Sequence, residues 1–269
     1  LFEENKIMIK FTSGKRKNKK FYSCPTSWGE ITFKQWKDLN ASDNELEMIS
    51  ILTGITSEAI NLISEGSLLK LSLAIGFVAK PLQMENYAPP SEFNYKQNRK
   101  IPFVEDIREK NYGQKIFLQH LLIENEKDEA KIIEESVLIY AQPFIDNSEF
   151  NLDRVIELKN SLDNVFFVDS YSIAIDYANQ LREIVETEAK QLNVQPTNEQ
   201  KAAGVDMFLK FGVMNTVKAL AENNVLNYEK VLRIEYNTVF IHLLMKKTEG
   251  IYQDNYRKIL DQKHKRSRK

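Results

Sequence analysis

One cysteine in 269 residues, Cys24, excludes an intramolecular disulfide, so a cross-linked secreted scaffold is ruled out and synthesis in a reducing cytoplasm is expected. Glycine and proline are scarce too, at nine and seven. A β-rich fold needs many turn residues, and their shortage favours long helices joined by short connections. Charge of one sign is also missing: 37 basic residues face 38 acidic ones, a formal net charge of −1, which leaves no global field to select nucleic acid or a membrane. No apolar run reaches the roughly 20 residues that span a bilayer. The longest, residues 68–79, is interrupted by Lys70 and Ser72 and is expected to be a buried helix. The opening LFEENKI lacks the basic-then-apolar order of a secretory signal. What is present is 42% hydrophobic content, enough for a substantial core.

Periodicity gives the elements. IMIKF and FYSC flank the polar loop TSGKRKNKK, the pattern of a β-hairpin over Ile7–Cys24. Thr32 and Gln35 have capping-box spacing ahead of Phe33, Trp36 and Leu39, and Ser42 with Glu45 repeats it before a helix that stops at Gly54. Thr56 or Ser57 caps a further short helix, and Ser67 is expected to open the apolar one. Pro81, Pro89, Pro90 and Pro102 mark an extended connection, β-prone over Phe93–Val104. Beyond Gly113, GQKIFLQHLLIE and KIIEESVLIYAQPFI read as an antiparallel helix pair, the second yielding near Pro143. Asn151 caps another helix, and Asp169 or Ser170 caps the longest periodic segment, of about 20 residues through Leu192. Thr197 and Gln200 form a third box ahead of a helix through Met207, Phe208, Phe211 and Val213. A final helix runs from Tyr228 to a polar, basic end. No fixed-period repeat of the solenoid kind is present. The fold class is therefore mainly α, a multi-helix globular protein with a small N-terminal β-hairpin, divided into 1–85, 86–196 and 197–269.

Chemistry-bearing patterns are sparse. The histidines, His120, His242 and His264, are too dispersed for a zinc motif; the first two read as satisfied core or boundary residues. The glycine-rich phosphate loops, the GxSxG elbow and HExxH are absent. Cys24 reads as a buried apolar residue rather than a nucleophile. The carboxylates Glu124, Glu126, Asp128, Glu129, Glu134 and Glu135 read as the solvated faces of helices, and Trp28, Trp36, Phe93 and Tyr95 as core rather than base-stacking residues. No catalytic residue, cofactor site or metal site is assigned.

Charge distribution says more. Residues 1–22 hold seven basic and two acidic side chains, 121–190 hold six and sixteen, and 241–269 hold nine and three. Such poles can attract copies of the same chain or an assembly partner; unrelated solvated faces are the plainer alternative. The candidate contacts with a partner or nucleic acid are Lys15, Arg16, Lys17, Lys19 and Lys20 in the hairpin loop, and Lys263, Lys265, Arg266, Arg268 and Lys269 at the end.

The order PTSWGEITFKQW, ILTGI, YGQKIFLQ and YAQPFID, carried by Pro25, Trp28, Ile31, Thr32, Phe33, Trp36, Leu52, Thr53, Gly54, Gly113, Gln114 and Pro143, resembles uncharacterised structural or tail-assembly-chaperone-like proteins of Bacteroidetes phages and prophages. The likeness covers the first two-thirds of the chain. It implies a non-enzymatic virion or tail-assembly protein that binds other phage structural or assembly proteins or copies of itself, made in the host cytoplasm and carried into the virion if retained. No membrane partner is expected. Two other classes stand beside it: a nucleic-acid-binding module that contacts DNA through its basic ends, and an enzyme of unrecognised type.

The segment KHKRSRK has no apolar residue to pack, so it is expected to be mobile when the protein is alone. Deleting residues 262–269 is expected to leave the fold intact while weakening self-association or partner binding, read by thermal unfolding and sedimentation. Loss of salt-sensitive DNA binding alone would favour the nucleic-acid reading.

Overall fold

The computed structural model describes residues 8–10, 21–82, 87–96, 99–125 and 127–267, and these form a mainly α protein. In chain order the elements are β1 (Met8–Lys10), β2 (Phe21–Ser23), α1 (Phe33–Asn40), α2 (Glu45–Thr53), α3 (Ser57–Ile60), α4 (Glu65–Ala74), β3 (Glu92–Tyr95) and β4 (Arg99–Pro102). Then come α5 (Tyr112–Glu124), α6 (Glu129–Asp146), α7 (Leu152–Glu157), α8 (Phe167–Leu192), α9 (Asn198–Ala202), α10 (Met214–Leu220), α11 (Tyr228–Leu232) and α12 (Tyr236–Ser267). The strands make two antiparallel pairs, with Ile9 opposite Tyr22 in β1–β2 and Phe93 opposite Ile101 in β3–β4. Both lie where the sequence places β-prone segments; residues 11–20, between β1 and β2, fall outside the described residues.

Two compact units divide the chain: residues 1–103 with 125–176, and 104–124 with 177–269. These discontinuous units cut the chain differently from the consecutive segments 1–85, 86–196 and 197–269. In the first unit α6 is central, with Ile133, Val137 to Ala141 and Ile145 buried. Aromatic rings close the unit elsewhere. Phe33 stacks on Trp36 at 5.6 Å and Trp36 on Phe167 at 4.7 Å, while Trp28 meets Phe77 edge-on at 5.4 Å. The starts of α1 and α8 are joined by an antiparallel bridge between Thr32 and Phe166, in which the Phe33 N–H donates to Val165 O at 2.8 Å and the Phe167 N–H to Ile31 O at 2.9 Å.

The second unit repeats the device. Asn111 bridges Glu235, the Tyr112 N–H donates to Ile234 O at 2.7 Å and the Tyr236 N–H to Lys110 O at 2.8 Å, so α5 and α12 start together. Their first aromatic rings stack at 6.5 Å. Beside them Lys115, itself buried, donates to both oxygens of Glu188 at 2.8 and 3.0 Å. A buried ammonium needs such a carboxylate to offset its lost hydration.

Local capping signals succeed where the helix start is set by near neighbours. Thr32–Gln35 and Thr197–Gln200 are both complete capping boxes, Asn151 and Thr56 cap α7 and α3, and Gly54 ends α2 in the left-handed region at φ 69°. Elsewhere competing groups move the boundaries. Ser42 does not cap α2: its hydroxyl donates to Glu47 at 2.8 Å, and Asn44 caps instead, accepting from the Leu46 N–H at 2.9 Å. The helix expected from Ser67 starts at Glu65, and it is only partly buried, because Leu69 and Leu73 are exposed. α8 starts at Phe167, ahead of Asp169 and Ser170, since the backbone bridge supplies acceptors there, and it runs 26 residues rather than about 20. Pro143 does not end α6, which continues to Asp146 and closes on left-handed Asn147; Arg99 donates to the Phe144 and Ile145 carbonyls at 2.6 and 2.7 Å.

The helix expected through Met207–Val213 is broken. α9 ends at Ala202, Gly204 takes φ 84°, and residues 205–211 form a 3-10 segment whose Met207, Phe208, Leu209 and Phe211 are exposed. Only a residue without Cβ adopts that φ cheaply. The helix expected from Tyr228 is likewise two helices, α11 and α12, parted where Ile234 accepts from Tyr112.

At Gly113 an added Cβ would lie 3.0 Å from the Leu232 carbonyl oxygen and 3.3 Å from its Cβ. Backbone there cannot move aside easily, so Gly113→Ala is expected to lower the melting temperature by several degrees, about 1–3 kcal/mol, despite alanine's better helix propensity. Thermal unfolding followed by circular dichroism measures it.

Candidate functional site

Of the ten basic residues singled out from sequence, Lys15, Arg16, Lys17, Lys19 and Lys20 lie outside the described residues, as do Arg268 and Lys269. Lys263 and Lys265 are exposed on the last turns of α12, whose backbone includes Arg266. These basic residues do not follow the final helix but extend it: α12 carries on to Ser267, because Lys, Arg and Gln are adequate helix formers and no proline or glycine interrupts the last turns.

α12 has 32 residues, about 48 Å at 1.5 Å per residue. Tyr236 and Val239 are buried near its start, and Lys247 donates to the Gln191 and Asn193 carbonyls at 2.8 and 3.1 Å, just where α8 ends. From Thr248 to Lys265 every residue is exposed except half-buried Leu260. This stretch is nonetheless amphipathic in its spacing. Ile241, Met245, Tyr252, Tyr256 and Ile259 follow one another at four, seven, four and three residues, which at 3.6 residues per turn aligns them on one face. All five are about half exposed or more, and the Tyr252 and Tyr256 rings stack at 6.1 Å. Of the charged residues of this distal part, Lys263 falls on the stripe's face, while Arg257, Lys258 and Lys265 fall on the far side of the helix with Asp254 and Asp261.

A second feature lies in the first unit, where α6, α7 and the 158–163 turn enclose a pocket of about 550 Å³. Glu134, expected on a solvated face, is instead 5% exposed. The Asn160 and Leu162 backbone N–H groups hydrogen-bond its carboxyl, Asn160 doing so from the left-handed region at φ 63°. Its Oε1 is buried with no hydrogen-bond partner. Burial holds the Glu134 carboxyl above the usual range, against the pull of Lys37 and with Asp163 adding to the rise. Glu135 is raised by burial as well, with Lys131 and Lys159 opposing. Lys37 cannot serve Glu134 fully, because its Nζ is 2.6 Å from Asp163 Oδ1 and 3.2 Å from Asn160 Oδ1. Sequence alone misses this site, since a Glu-Glu pair on a charged helix carries no sign of which member turns inward.

The remaining candidates are structural. Trp36, Phe93 and Tyr95 are buried and Trp28 half-buried. Cys24 is buried, its thiol pushed up to about 11 by burial, which keeps it a protonated, poor nucleophile. His120 is exposed rather than in the core, paired with Glu124 at 2.9 Å, and His242 is exposed. Tyr112 and Tyr236 are both pushed well above the usual phenol range, by burial first and then by Glu188. Among the described residues no His, Cys, Asp and Glu group is arranged to hold a metal, and no helix is long and apolar enough to cross a membrane. No family model, curated protein or solved structure matches the chain.

A group whose carboxyl is raised by folding favours the folded state at acid pH and loses that contribution as pH climbs from the ordinary carboxyl range through the folded-state value. Glu134→Gln keeps the shape and the acceptor for Asn160 and Leu162 while removing the buried charge, and Lys37 retains Asp163. The variant is therefore expected to melt a few degrees higher than the parent at pH 7.5 and at the same temperature near pH 4. Thermal melts across that range are the measurement; a variant less stable at pH 7.5 would show that Glu134 is favourably paired as a carboxylate.

Proposed function

We propose that this chain is a non-enzymatic phage virion or tail-assembly component that works by binding proteins, with the distal part of α12 as its docking element. The observation that carries the reading is the exposed apolar stripe Ile241–Met245–Tyr252–Tyr256–Ile259 on a helix whose residues from Thr248 to Lys265 are exposed apart from Leu260. Helices gain most of their stability from burying an apolar face, and one of about 20 residues without such burial is marginal in water. A partner helix laid along the stripe, or a groove receiving it, supplies that burial by a recognised mode of protein recognition. The net positive charge of the distal turns, Arg257, Lys258, Lys263 and Lys265 against Asp254 and Asp261, favours an acidic partner surface, because complementary charge speeds encounter and penalises wrong orientations. The resemblance of the PTSWGEITFKQW, ILTGI, YGQKIFLQ and YAQPFID segments to phage assembly proteins is in line with the same reading. The nucleic-acid reading rests on the exposed Arg257, Lys258, Lys263 and Lys265, cations that also suit phosphates.

The paired substitution Tyr252→Asp with Ile259→Asp removes the stripe without touching the core. Sedimentation and negative-stain imaging of purified protein are expected to show oligomers or rings for the parent and monomers for the variant, with unchanged melting of the folded units. A parent that stays monomeric, fails to join the products of neighbouring phage structural genes when co-expressed with them, and binds DNA with steep salt dependence would replace this reading with the nucleic-acid one.

A further inference from the structure

We propose, resting on the reading of α12 as the docking element, that the shallow groove between α5 and α8 receives the α12 stripe of a second copy of this chain, so that copies join head to tail. Leu122 and Ile123 from the last turn of α5 and Ala178, Leu181 and Val185 from α8 line the groove, which holds about 340 Å³. Leu181 is buried at its base, whereas Ile123 is 65% exposed and Val185 36%. Along the open side of α8 run Ala178, Arg182, Val185 and Ala189, spaced at four, three and four residues, and the last three are exposed. That is the spacing of a helix-pairing seam, whose contact residues alternate between three and four apart. α12 carries the same period: Met245, Tyr252 and Ile259 recur every seven residues, with Ile241 and Tyr256 on the same face.

Size and charge match across the two seams. Ala178 and Ala189 leave room on α8 for the large Met245, Tyr252 and Ile259 side chains, as a seam requires when the knobs of one helix enter the holes of another. Arg182 stands exposed in the middle of the row, with no hydrogen bond or ion pair among the described residues. A guanidinium stacks well on aromatic faces, and the Tyr252 and Tyr256 rings, 6.1 Å apart, present such faces on exposed α12. Glu186 at the groove edge and Glu124 beside Ile123 are exposed carboxylates, and Lys263 is a cation on the stripe's own face. The groove is not filled by its own chain. Lys247, which ties α12 to the Gln191 and Asn193 carbonyls where α8 ends, lies roughly 140° around the helix from the stripe at about 100° per residue. The stripe therefore faces away from α8, and a second copy brings it to the groove. A contact between unlike surfaces repeats from copy to copy until it closes into a ring or runs on as a filament.

The test uses the full chain and two variants that spare the core: a groove variant, Ile123→Asp with Val185→Asp, and the stripe variant, Tyr252→Asp with Ile259→Asp, each checked for an unchanged circular dichroism spectrum. Sedimentation velocity is expected to show the parent as oligomers and each variant alone as monomers, with self-association weakened by at least about tenfold. Mixed in equal amounts, the two variants are expected to form a one-to-one dimer and nothing larger, since one intact groove and one intact stripe remain between them. Arg182→Gln is expected to weaken assembly by roughly two- to fivefold. Oligomers formed by the groove variant alone overturn the groove assignment and leave α12 as a docking element, and monomeric variants that fail to combine overturn the head-to-tail contact. A monomeric parent overturns the second copy as occupant, whatever other protein α12 binds. Oligomers that persist in the stripe variant overturn both this contact and the reading of α12 on which it rests.

Discussion

An α-helix begins with amide groups that have no acceptor inside the helix, and in both units of this protein the first of those amides is satisfied by pairing two helix starts against each other. Phe33 and Phe167 exchange hydrogen bonds with the residues before the opposite helix, and so do Tyr112 and Tyr236. Each pairing sets an aromatic side chain at the first helical position of both partners, and all four rings are buried. The consequences reach outward. The stacked Phe33, Trp36 and Phe167 rings lie where α1 and α8 start, and the Lys115–Glu188 pair lies where α5 runs beside α8. Residues far apart in the chain are thereby fixed to within a hydrogen bond, which orders α6 and the 158–163 turn in the first unit and the root of α12 in the second.

Buried polar groups within this framework are handled in two ways. Gln142 is fully used, accepting from the Asn151 N–H at 2.9 Å and donating to Asp146 and Ser148 at 3.0 and 3.3 Å, and Lys115 has both oxygens of Glu188. Such satisfied groups specify the packing. Glu134 differs: the Asn160 and Leu162 amides act on its carboxyl, yet its buried Oε1 has no hydrogen-bond partner. It shares this with the hydroxyls of Ser136, Ser161 and Ser170, which are also buried without a hydrogen-bond partner.

Protein surface divides in the same manner. Scattered exposed leucines, such as Leu62 and Leu226, are ordinary, whereas a stripe recurring on one face of α12 over five positions is directional. Its root is held by the Tyr236 pairing and by Lys247 on the α8 carbonyls, so a rigid base carries an uncovered apolar edge.

What the sequence determined by itself was local. The mainly α class, both β-prone segments, and the capping boxes at Thr32 and Thr197 follow from residues within four positions of one another, because the donors and acceptors concerned are neighbours in the chain. Tertiary structure decided the rest. It placed the start of α8 at Phe167 through a bridge to Thr32, divided the last periodic segment at Ile234 through a bond to Tyr112, and turned Glu134 inward against the turn at Asn160. It also left the Met207–Phe211 segment exposed, although the same apolar spacing elsewhere marks core. A periodic pattern states which residues share a face, but burial depends on whether distant parts of the chain arrive to cover it, and that is a property of long-range pairing rather than of local spacing.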